Sequence, residues 1–285
     1  MATFHVIQKR WIFYTFSIIL FVVGVAAPFL FPLHLGTDLI GGDVLEMHTN
    51  ISFDQIKIIA GPSTAVIQSQ SSYLIKGEKI DKGKIVSDII AKDKNAQMLR
   101  FERISPTVSG ELRKKAVNSV VLVLLAIGLY VAFAFKSSGS KIKSWILGLV
   151  VVLTLFHDVV SSFGLFALLS QRLTLTFDIM VVTGFLVVAG FSVHDTIVVF
   201  DRLRENLAKS KGITVEVFNA SVIETMSRSI NTSLTAVLSI IPLVFMLPHL
   251  RSFLLTLIFG IIIGTYSSIC VAIPLVYDMT RKKNK

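Results

Sequence analysis

The segment WIFYTFSIILFVVGVAAPFLFP, residues 11–32, is the stretch that decides the fold. It is an almost unbroken apolar run of about 21 residues, long enough to cross roughly 30 Å of hydrocarbon as one helix. Lys9 and Arg10 precede it. A secretory signal has a similar basic start, but its apolar core spans only about 7–15 residues, and the small residues of 24–27 leave a weak cleavage site. We therefore expect a short N-terminal segment at 1–10 and an uncleaved transmembrane helix at 11–35.

Five further apolar stretches lie in the second half of the chain. They span about 115–135, 144–169, 173–200, 226–247 and 253–277. Short polar links join them, and the longest, at 201–224, is charged and has room for a short amphipathic helix. The sequence thus predicts a polytopic α-helical membrane protein with six transmembrane helices. Five of them form a bundle over 115–280, followed by a basic tail at 281–285.

The region between the first two apolar runs, residues 36–114, is polar. It holds strand-like pieces at 44–48 and 73–75. Ser52 followed three residues later by Gln55 is typical of a capping box that begins a helix. About 80 residues suffice for an independent fold. We expect a small α+β domain on the side of the membrane opposite to the N-terminus.

Composition agrees with this assignment and disfavours other classes. The 285 residues are 53% hydrophobic and only 16% charged, with a mean hydropathy of +0.73 and a formal net charge of +10. A basic chain suggests a nucleic-acid partner, but nucleic-acid binding proteins do not carry apolar runs of this length. The single cysteine, Cys270, excludes an internal disulfide framework and is expected to pack. A soluble enzyme is disfavoured, no nucleic-acid partner is expected, and a lipid bilayer is the expected surrounding.

The distribution of basic residues predicts the orientation of the helices. If the N-terminus is cytoplasmic, the two short outside links carry only Arg172 and Arg251. The cytoplasmic segments then carry thirteen basic residues: Lys9, Arg10, Lys136, Lys141, Lys143, Arg202, Arg204, Lys209, Lys211, Arg281, Lys282, Lys283 and Lys285. We therefore expect both termini to be cytoplasmic and the polar domain to be extracytoplasmic.

Ionisable residues inside apolar spans mark the candidate functional groups, because each costs roughly 2.5–3.5 kcal/mol at a helix centre. Asp195 precedes Asp201, where its span leaves the membrane, by six residues, which places it ~9 Å inside. Arg228 enters the next span from the same side, so the two residues are expected at similar depth. The pair is either a proton-binding site, in which the carboxylate is the switchable member, or a static ion pair that fixes helix packing. Both interpretations stay open.

His157 and Asp158 lie in the middle of the third span, where they form either an interhelical hydrogen bond or a relay. Together with His194 and Asp195 they have no spacing of the HExxH type, so we expect no metal site and no cofactor. Nothing around Asp158 and Asp195 suggests an intramembrane aspartyl protease. We expect no catalytic residues.

Small residues are expected to determine local geometry. Asp38, Gly41 and Gly42 follow the first span, where the glycines permit a turn at positive φ. Gly184, Ala189, Gly190 and Ser192 on the fourth span permit close approach of another helix, as do Gly260 and Gly264 on the sixth.

Five motifs resemble those of the SecF family of bacterial protein-export membrane subunits. GFSVHDTIVVFDRLREN at 190–206 is similar to the family pattern G-Y-S-x-N-D-T-x-V-V-x-D-R-x-R-E-N, and it begins with Gly190. GTDLIGG at 36–42, which begins with Gly36, SPTVSGELR at 105–113, the pair His157-Asp158 and TMSRS at 225–229 follow the family order. His194 stands where asparagine is usual, which adds a second titratable group beside Asp195.

The resemblance implies a SecF-like subunit of the Sec protein translocase, with six helices equivalent to half of a resistance-nodulation-division transporter. It implies pairing with SecD, association with the SecYEG translocon, and use of the proton motive force to drive late steps of preprotein translocation across the cytoplasmic membrane. It also implies that Asp195 and Arg228 belong to the proton pathway, with His157, Asp158, His194 and Asp201 as relay or packing residues. A half-transporter for small molecules or lipids, and a passive scaffold, are the alternatives.

Overall fold

The structure, a computed structural model, describes residues 5–69, 72–136, 141–173 and 175–281. Within these ranges it contains six helices that are long and apolar enough to cross a membrane, and one small sheet domain. The predicted six-helix membrane fold with an α+β domain is therefore confirmed. The first residues of the predicted N-terminal segment, the link at 137–140 and all but the first residue of the basic tail lie outside the described residues.

The first helix leads into the sheet domain through short elements. They are α1 (Arg10–Leu30), β1 (His34–Leu35), α2 (Thr37–Ile40), β2 (Gly42–His48), α3 (Phe53–Ala60), β3 (Thr64–Ser69), β4 (Ser72–Gly77), α4 (Lys82–Lys92) and β5 (Gln97–Ile104).

Long helices make up the rest of the chain. They are α5 (Pro106–Ala134), α6 (Ser144–Leu173), the short β6 (Thr176–Phe177), α7 (Ile179–Lys209), α8 (Val215–Met246), α9 (Arg251–Ser267) and α10 (Ile273–Arg281). A 3₁₀ turn, Pro248–Leu250, precedes α9, and a π-helical turn, Ser268–Ala272, joins α9 to α10. The segment from α9 to α10 is the sixth spanning helix.

The polar domain, residues 37–104, is an antiparallel sheet in the order β3-β4-β2-β5 with α3 and α4 packed against it. Leu45 and Met47 of the central strand are fully buried, together with Ile56 from α3 and Ile89 from α4. The strands include both predicted strand pieces. Ser52 is the N-cap residue of α3, as expected, although its side chain forms no capping hydrogen bond.

Several predicted boundaries differ from the structure. The predicted domain extends to 114, but α5 already begins at Pro106, with Ser105 as its N-cap. The fourth span is predicted from 173, but α7 begins at Ile179, and Asp178 caps it by accepting from the Val181 amide at 3.0 Å. The predicted link at 201–224 is mostly helical, because polar residues of good helix propensity continue a helix beyond the hydrocarbon. An apolar run therefore marks the membrane and not the helix end.

Helices α6 and α7 and the sixth spanning helix form the centre of the bundle, and α1, α5 and α8 pack around them. Close backbone approach holds α1 against α6: a Cβ on Gly164 would lie 2.2 Å from the Gly24 Cα. A Cβ on Gly260 of α9 would likewise lie 2.2 Å from the Val188 side chain on α7, so these two helices also lie close together. Gly190 differs from the expectation, because it is exposed and a Cβ added to it would meet no other part of the described chain within 4 Å.

The glycines after α1 connect the bundle to the polar domain. Gly41 and Gly42 have φ angles of +88° and +132°, in agreement with the predicted turn. A Cβ on Gly42 would also lie 2.5 Å from the Gly77 carbonyl oxygen. Gly36 is buried against Asp178, and its amide donates to the Phe177 carbonyl at 2.8 Å. The segment after α1 is thereby joined to the start of α7.

The bundle has two distinct ends. The end that carries the polar domain, called the domain end, includes the carboxyl end of α1 and the amino end of α7, bridged by parallel pairing of β1 and β6. The opposite end, called the distal end, includes the start of α1 and the carboxyl end of α7. Lys141 holds it together by donating to the carbonyls of Leu207 and Ser210.

Candidate functional site

Asp195 lies on the inner face of α7, and the residue is only 2% exposed. The Thr265 hydroxyl on α9 lies 3.5 Å from its Oδ2. Ser229 and Ser233 on α8 lie near the carboxylate, although the buried Ser229 hydroxyl forms no hydrogen bond in the described chain. Thr265 and Ser233 also share a hydrogen bond with each other. Hydroxyls from two helices therefore surround a carboxyl group carried by a third.

Arg228 does not pair with Asp195 in the described chain, contrary to the expected contact. Its side chain is exposed, and the basic side chain recorded beside Asp195 is the neighbouring His194, whose Nδ1 lies 3.9 Å from Oδ1. Each residue of an α-helix is rotated by about 100° from the one before. Because Ser229 points inward at Asp195, the preceding Arg228 points away.

Arg228 instead lines a cleft of about 310 Å³ at the distal end, between α7 and α8. Asp201, Glu205 and Glu224 line the same cleft, together with Arg202. Arg202 donates to both glutamates.

The cleft also lies close to Asp195 along α7. Val198 lines the cleft, and Val198 lies one helical turn, roughly 4.5 Å, from Asp195. The cleft thus brings Arg228 and Asp201 together near Asp195 without contact.

Asp158 on α6 is completely buried and forms a second polar centre. Its Oδ2 accepts from the Ser192 hydroxyl at 2.6 Å and from the Ser267 hydroxyl at 2.8 Å. Its Oδ1 lies 3.0 Å from His157 Nδ1. The other ring nitrogen of His157, Nε2, lies 3.2 Å from the Ser17 carbonyl oxygen on α1. This group, the His157–Asp158 pair, therefore joins four helices: α1, α6, α7 and α9.

A third contact links α7 to the sixth spanning helix at its π-helical turn, Ser268–Ala272. Thr196 and Ser268 share a hydrogen bond of 2.8 Å, and the Ser268 hydroxyl donates to the Ser192 carbonyl at 3.2 Å. Ser268 begins the π-helical turn. Such turns occur frequently at functional sites, because they shift the register of the side chains that follow. Here the turn follows directly after Ser267, which contacts Asp158.

His194 lies outside the buried clusters. Its side chain is 68% exposed on α7 and faces the surroundings of the bundle. The four residues considered for a metal site therefore form two separate pairs. Among the described residues, no group of three or more possible metal ligands occurs.

The hydroxyls that surround both carboxyl groups were not predicted from the sequence. Ser229 and Ser233 are four residues apart on α8, and Thr265 and Ser267 are two apart on α9. A pair of hydroxyls at helical spacing within an apolar span was the available signal. What the spacing did not reveal is which carboxyl group each helix faces.

The arrangement around Asp195 accommodates two protonation states. An ionised carboxyl group only accepts hydrogen bonds, whereas a protonated one also donates. A hydroxyl rotates to do either, so Thr265 and the two serines of α8 can stabilise both forms. A group of this kind is suited to binding and releasing a proton inside a membrane.

Six spanning helices, a domain after the first of them and buried carboxyl groups where central helices meet define a multi-pass membrane protein with titratable groups in its bundle. The family of protein-export membrane proteins SecD/SecF, C-terminal, matches residues 85–282. The protein translocase subunit SecF of Thermobaculum terrenum is 32% identical, over 93% of this chain and 90% of that protein. SecF of Rhodobacter capsulatus is 31% identical, over 100% and 91%.

A solved structure agrees with these relatives. The crystal structure of SecDF, a translocon-associated membrane protein from Thermus thermophilus, superposes with a TM-score of 0.81 at 28% identity. The match covers all of this chain but only 39% of the longer SecDF chain. The chain therefore belongs to the SecD/SecF family of protein-export membrane proteins.

Proposed function

We propose that this chain is the SecF subunit of a Sec protein translocase and uses the proton motive force to drive late steps of preprotein translocation. Family membership and the names of the relatives support the subunit assignment. The observation that carries the proton part is Asp195, a buried carboxyl group enclosed by hydroxyls of neighbouring helices. The protein acts by conformational change and not as an enzyme.

The proposed partners are SecD, the SecYEG translocon and an unfolded preprotein. The solved SecDF chain matches this chain over 39% of its own length and carries SecD in its name, which supports a SecD-like partner. In this proposal the polar domain contacts the preprotein as it emerges.

The proposed location is the bacterial cytoplasmic membrane, with both termini and the distal end in the cytoplasm. Lys141, Arg202, Lys209 and Lys211 all belong to the distal end, as the positive-inside rule requires of a cytoplasmic face. The polar domain is then extracytoplasmic. Cysteines introduced at Asp88 and at Lys211 test this: a membrane-impermeant thiol reagent added outside should label only the first.

In the proposed cycle Asp195 alternates between a protonated and an anionic state. The protonated state agrees with the unpaired carboxyl group seen among hydroxyls. In the anionic state Arg228 turns from its cleft toward Asp195 and supplies the opposing charge. Asp201 in the same cleft is the proposed exchange group on the cytoplasmic side, and His194 modulates the field at Asp195. One proton moving across 100 mV supplies about 2.3 kcal/mol, enough to shift a two-state equilibrium about fiftyfold.

Asp195→Asn tests the proton part of the proposal. The variant keeps the shape of the side chain but no longer binds and releases a proton. With a SecD-like partner present, proton-dependent export should fall to the rate measured without a gradient, while the amount of protein in the membrane stays normal. Asp88→Asn, the same change on the exposed face of α4, is the control and should export normally.

Other outcomes distinguish the alternatives. Normal export by the Asp195→Asn variant would contradict the proton mechanism and favour a passive scaffold. Sensitivity of a deletion strain to small molecules, without accumulation of exported precursors, would favour a half-transporter.

A further inference from the structure

The His157–Asp158 pair is a buried group of titratable side chains that the cycle at Asp195 leaves without a defined part. It lies in the middle of α6, and its aspartate is inaccessible to solvent. Its hydrogen-bond partners limit where its protons can lie.

The first step concerns His157 Nε2. This nitrogen lies 3.2 Å from the Ser17 carbonyl oxygen. A carbonyl oxygen only accepts hydrogen bonds, so Nε2 must carry a hydrogen. The ring of Phe21 lies nearly parallel to the imidazole, with 6.4 Å between the ring centroids. A neutral imidazole carries one hydrogen, so in that form Nδ1 has a free lone pair.

The second step concerns the contact of 3.0 Å between His157 Nδ1 and Asp158 Oδ1. Such a distance requires one hydrogen between the two atoms. Either the carboxyl group is protonated and donates to the neutral ring, or the ring is a cation and donates to a carboxylate. Both arrangements contain the same number of protons and have no net charge. Beyond the hydrogen on Nε2, the pair therefore holds one further proton that it can release.

The third step concerns loss of that proton. Two lone pairs would then face each other at 3.0 Å, and a full negative charge would remain on a side chain with no exposure. Ser192 and Ser267 already hold the other carboxylate oxygen, so Asp158 is fixed in place. Either the ring of His157 turns away, or its hydrogen moves from Nε2 to Nδ1 and binds the carboxylate; both changes remove the hydrogen bond to the Ser17 carbonyl.

Charged and titratable groups on the neighbouring helices do not pair with His157 or Asp158 in the described chain. None of the groups on the adjoining helices forms a hydrogen bond with either residue in the described chain. These groups are Arg10 and Tyr14 on α1, Asp195 on α7, Tyr266 on α9, Cys270 in the π-helical turn and Asp278 on α10; Arg10 and Tyr14 are themselves bound to Asp278.

We propose that the His157–Asp158 pair is a second proton-binding site, separate from Asp195, whose deprotonation releases α1 from α6 at Ser17. The inference rests on the proposed proton-driven function. Helix α1 leads directly into the polar domain, and Ser192 lies one turn from Asp195 on α7. The pair thus connects the proton-binding helix to the helix that carries the domain.

Asp158→Asn separates a proton site from a packing contact. The asparagine amide can donate to His157 Nδ1, while its oxygen accepts from Ser192 and Ser267, so every hydrogen bond of the protonated pair is kept. A packing role therefore predicts normal export by the variant. A proton-binding role predicts a normal amount of protein and loss of all proton-dependent export in membrane vesicles with a SecD-like partner. Normal export would overturn the inference.

The Asp195→Asn variant is measured in parallel. If it also exports normally, the proton-driven function itself fails. If only Asp158→Asn exports normally, the second site alone is wrong.

Nitrogen-15 spectra of the full-length chain with labelled histidine provide an independent check. The signals of His157 are assigned from their loss in a His157→Gln variant. We expect Nε2 to be protonated at neutral pH in both the parent and Asp158→Asn. We expect the Nδ1 signal to change on alkaline titration only in the parent. An unprotonated Nε2, or a titration that is the same in both, would overturn the inference.

Discussion

Replacement of Gly164 by alanine should separate α1 from α6. The added Cβ would lie 2.2 Å from the Gly24 Cα, whereas carbon atoms in contact are roughly 3.5–4.0 Å apart. The obstacle is backbone and cannot rotate away, so α1 has to retreat by about 1.5 Å at the crossing. Overpacking of this kind costs about 1–3 kcal/mol.

The displacement should also reach the His157–Asp158 pair. Ser17 lies seven residues from Gly24 on the same helix, about 10 Å along its axis. The bond from His157 Nε2 to the Ser17 carbonyl is 3.2 Å long, so an outward movement of about 1 Å exceeds the limit of a hydrogen bond. Loss of this bond adds about 0.5–1.5 kcal/mol, for a total of roughly 1.5–4.5 kcal/mol.

Denaturant unfolding in detergent micelles measures the change in free energy of unfolding. Gly190→Ala is the matched control, because Gly190 is helical and has open space around it. Alanine is preferred over glycine in a helix by up to about 1 kcal/mol, so the control should be as stable as the parent or slightly more stable. If Gly164→Ala and Gly190→Ala have the same free energy of unfolding, the close contact of α1 with α6 does not stabilise the bundle.

Three further predictions concern other parts of the chain. Ser233→Ala removes a hydroxyl beside Asp195 and should lower proton-dependent export severalfold in vesicles, whereas Ser239→Ala, on the exposed side of the same helix, should not. Arg103 donates to buried Asp43 at 2.7 Å and holds the pKa of that carboxyl group below its usual range, so this stabilisation exists above about pH 4 and is lost as the pH falls through the lowered pKa. Arg103→Gln should therefore make the β2 amides exchange faster at neutral pH and should move the onset of acid unfolding to higher pH. Equal exchange rates of these amides in the parent and the variant at neutral pH would contradict this. Gly42→Ala should destabilise the polar domain by at least about 1–2 kcal/mol, measured by hydrogen exchange, because φ is +132° and the Gly77 oxygen blocks a Cβ.

The depth of Asp195 in its span is a prediction that the sequence alone supplies, but its partners were not predictable from the sequence. Counting residues from Asp201 gives the depth of the carboxyl group, since the rise per residue of a helix is constant. The facing residue depends on the rotation of α8 about its own axis, and that rotation is determined by packing. A difference of one residue exchanges Arg228 for Ser229.

The sequence by itself determined the six apolar helices, the polar domain after the first of them and the carboxyl groups inside the spans. These features follow from local chemistry: an apolar run of sufficient length must be a helix in a bilayer, and an ionisable group within it is conspicuous. Only the tertiary structure decided that Asp158 joins α1, α6, α7 and α9 and that Asp195 lies among hydroxyls. Those contacts join residues more than thirty positions apart, and close approach at Gly164 and Gly260 brings their helices together.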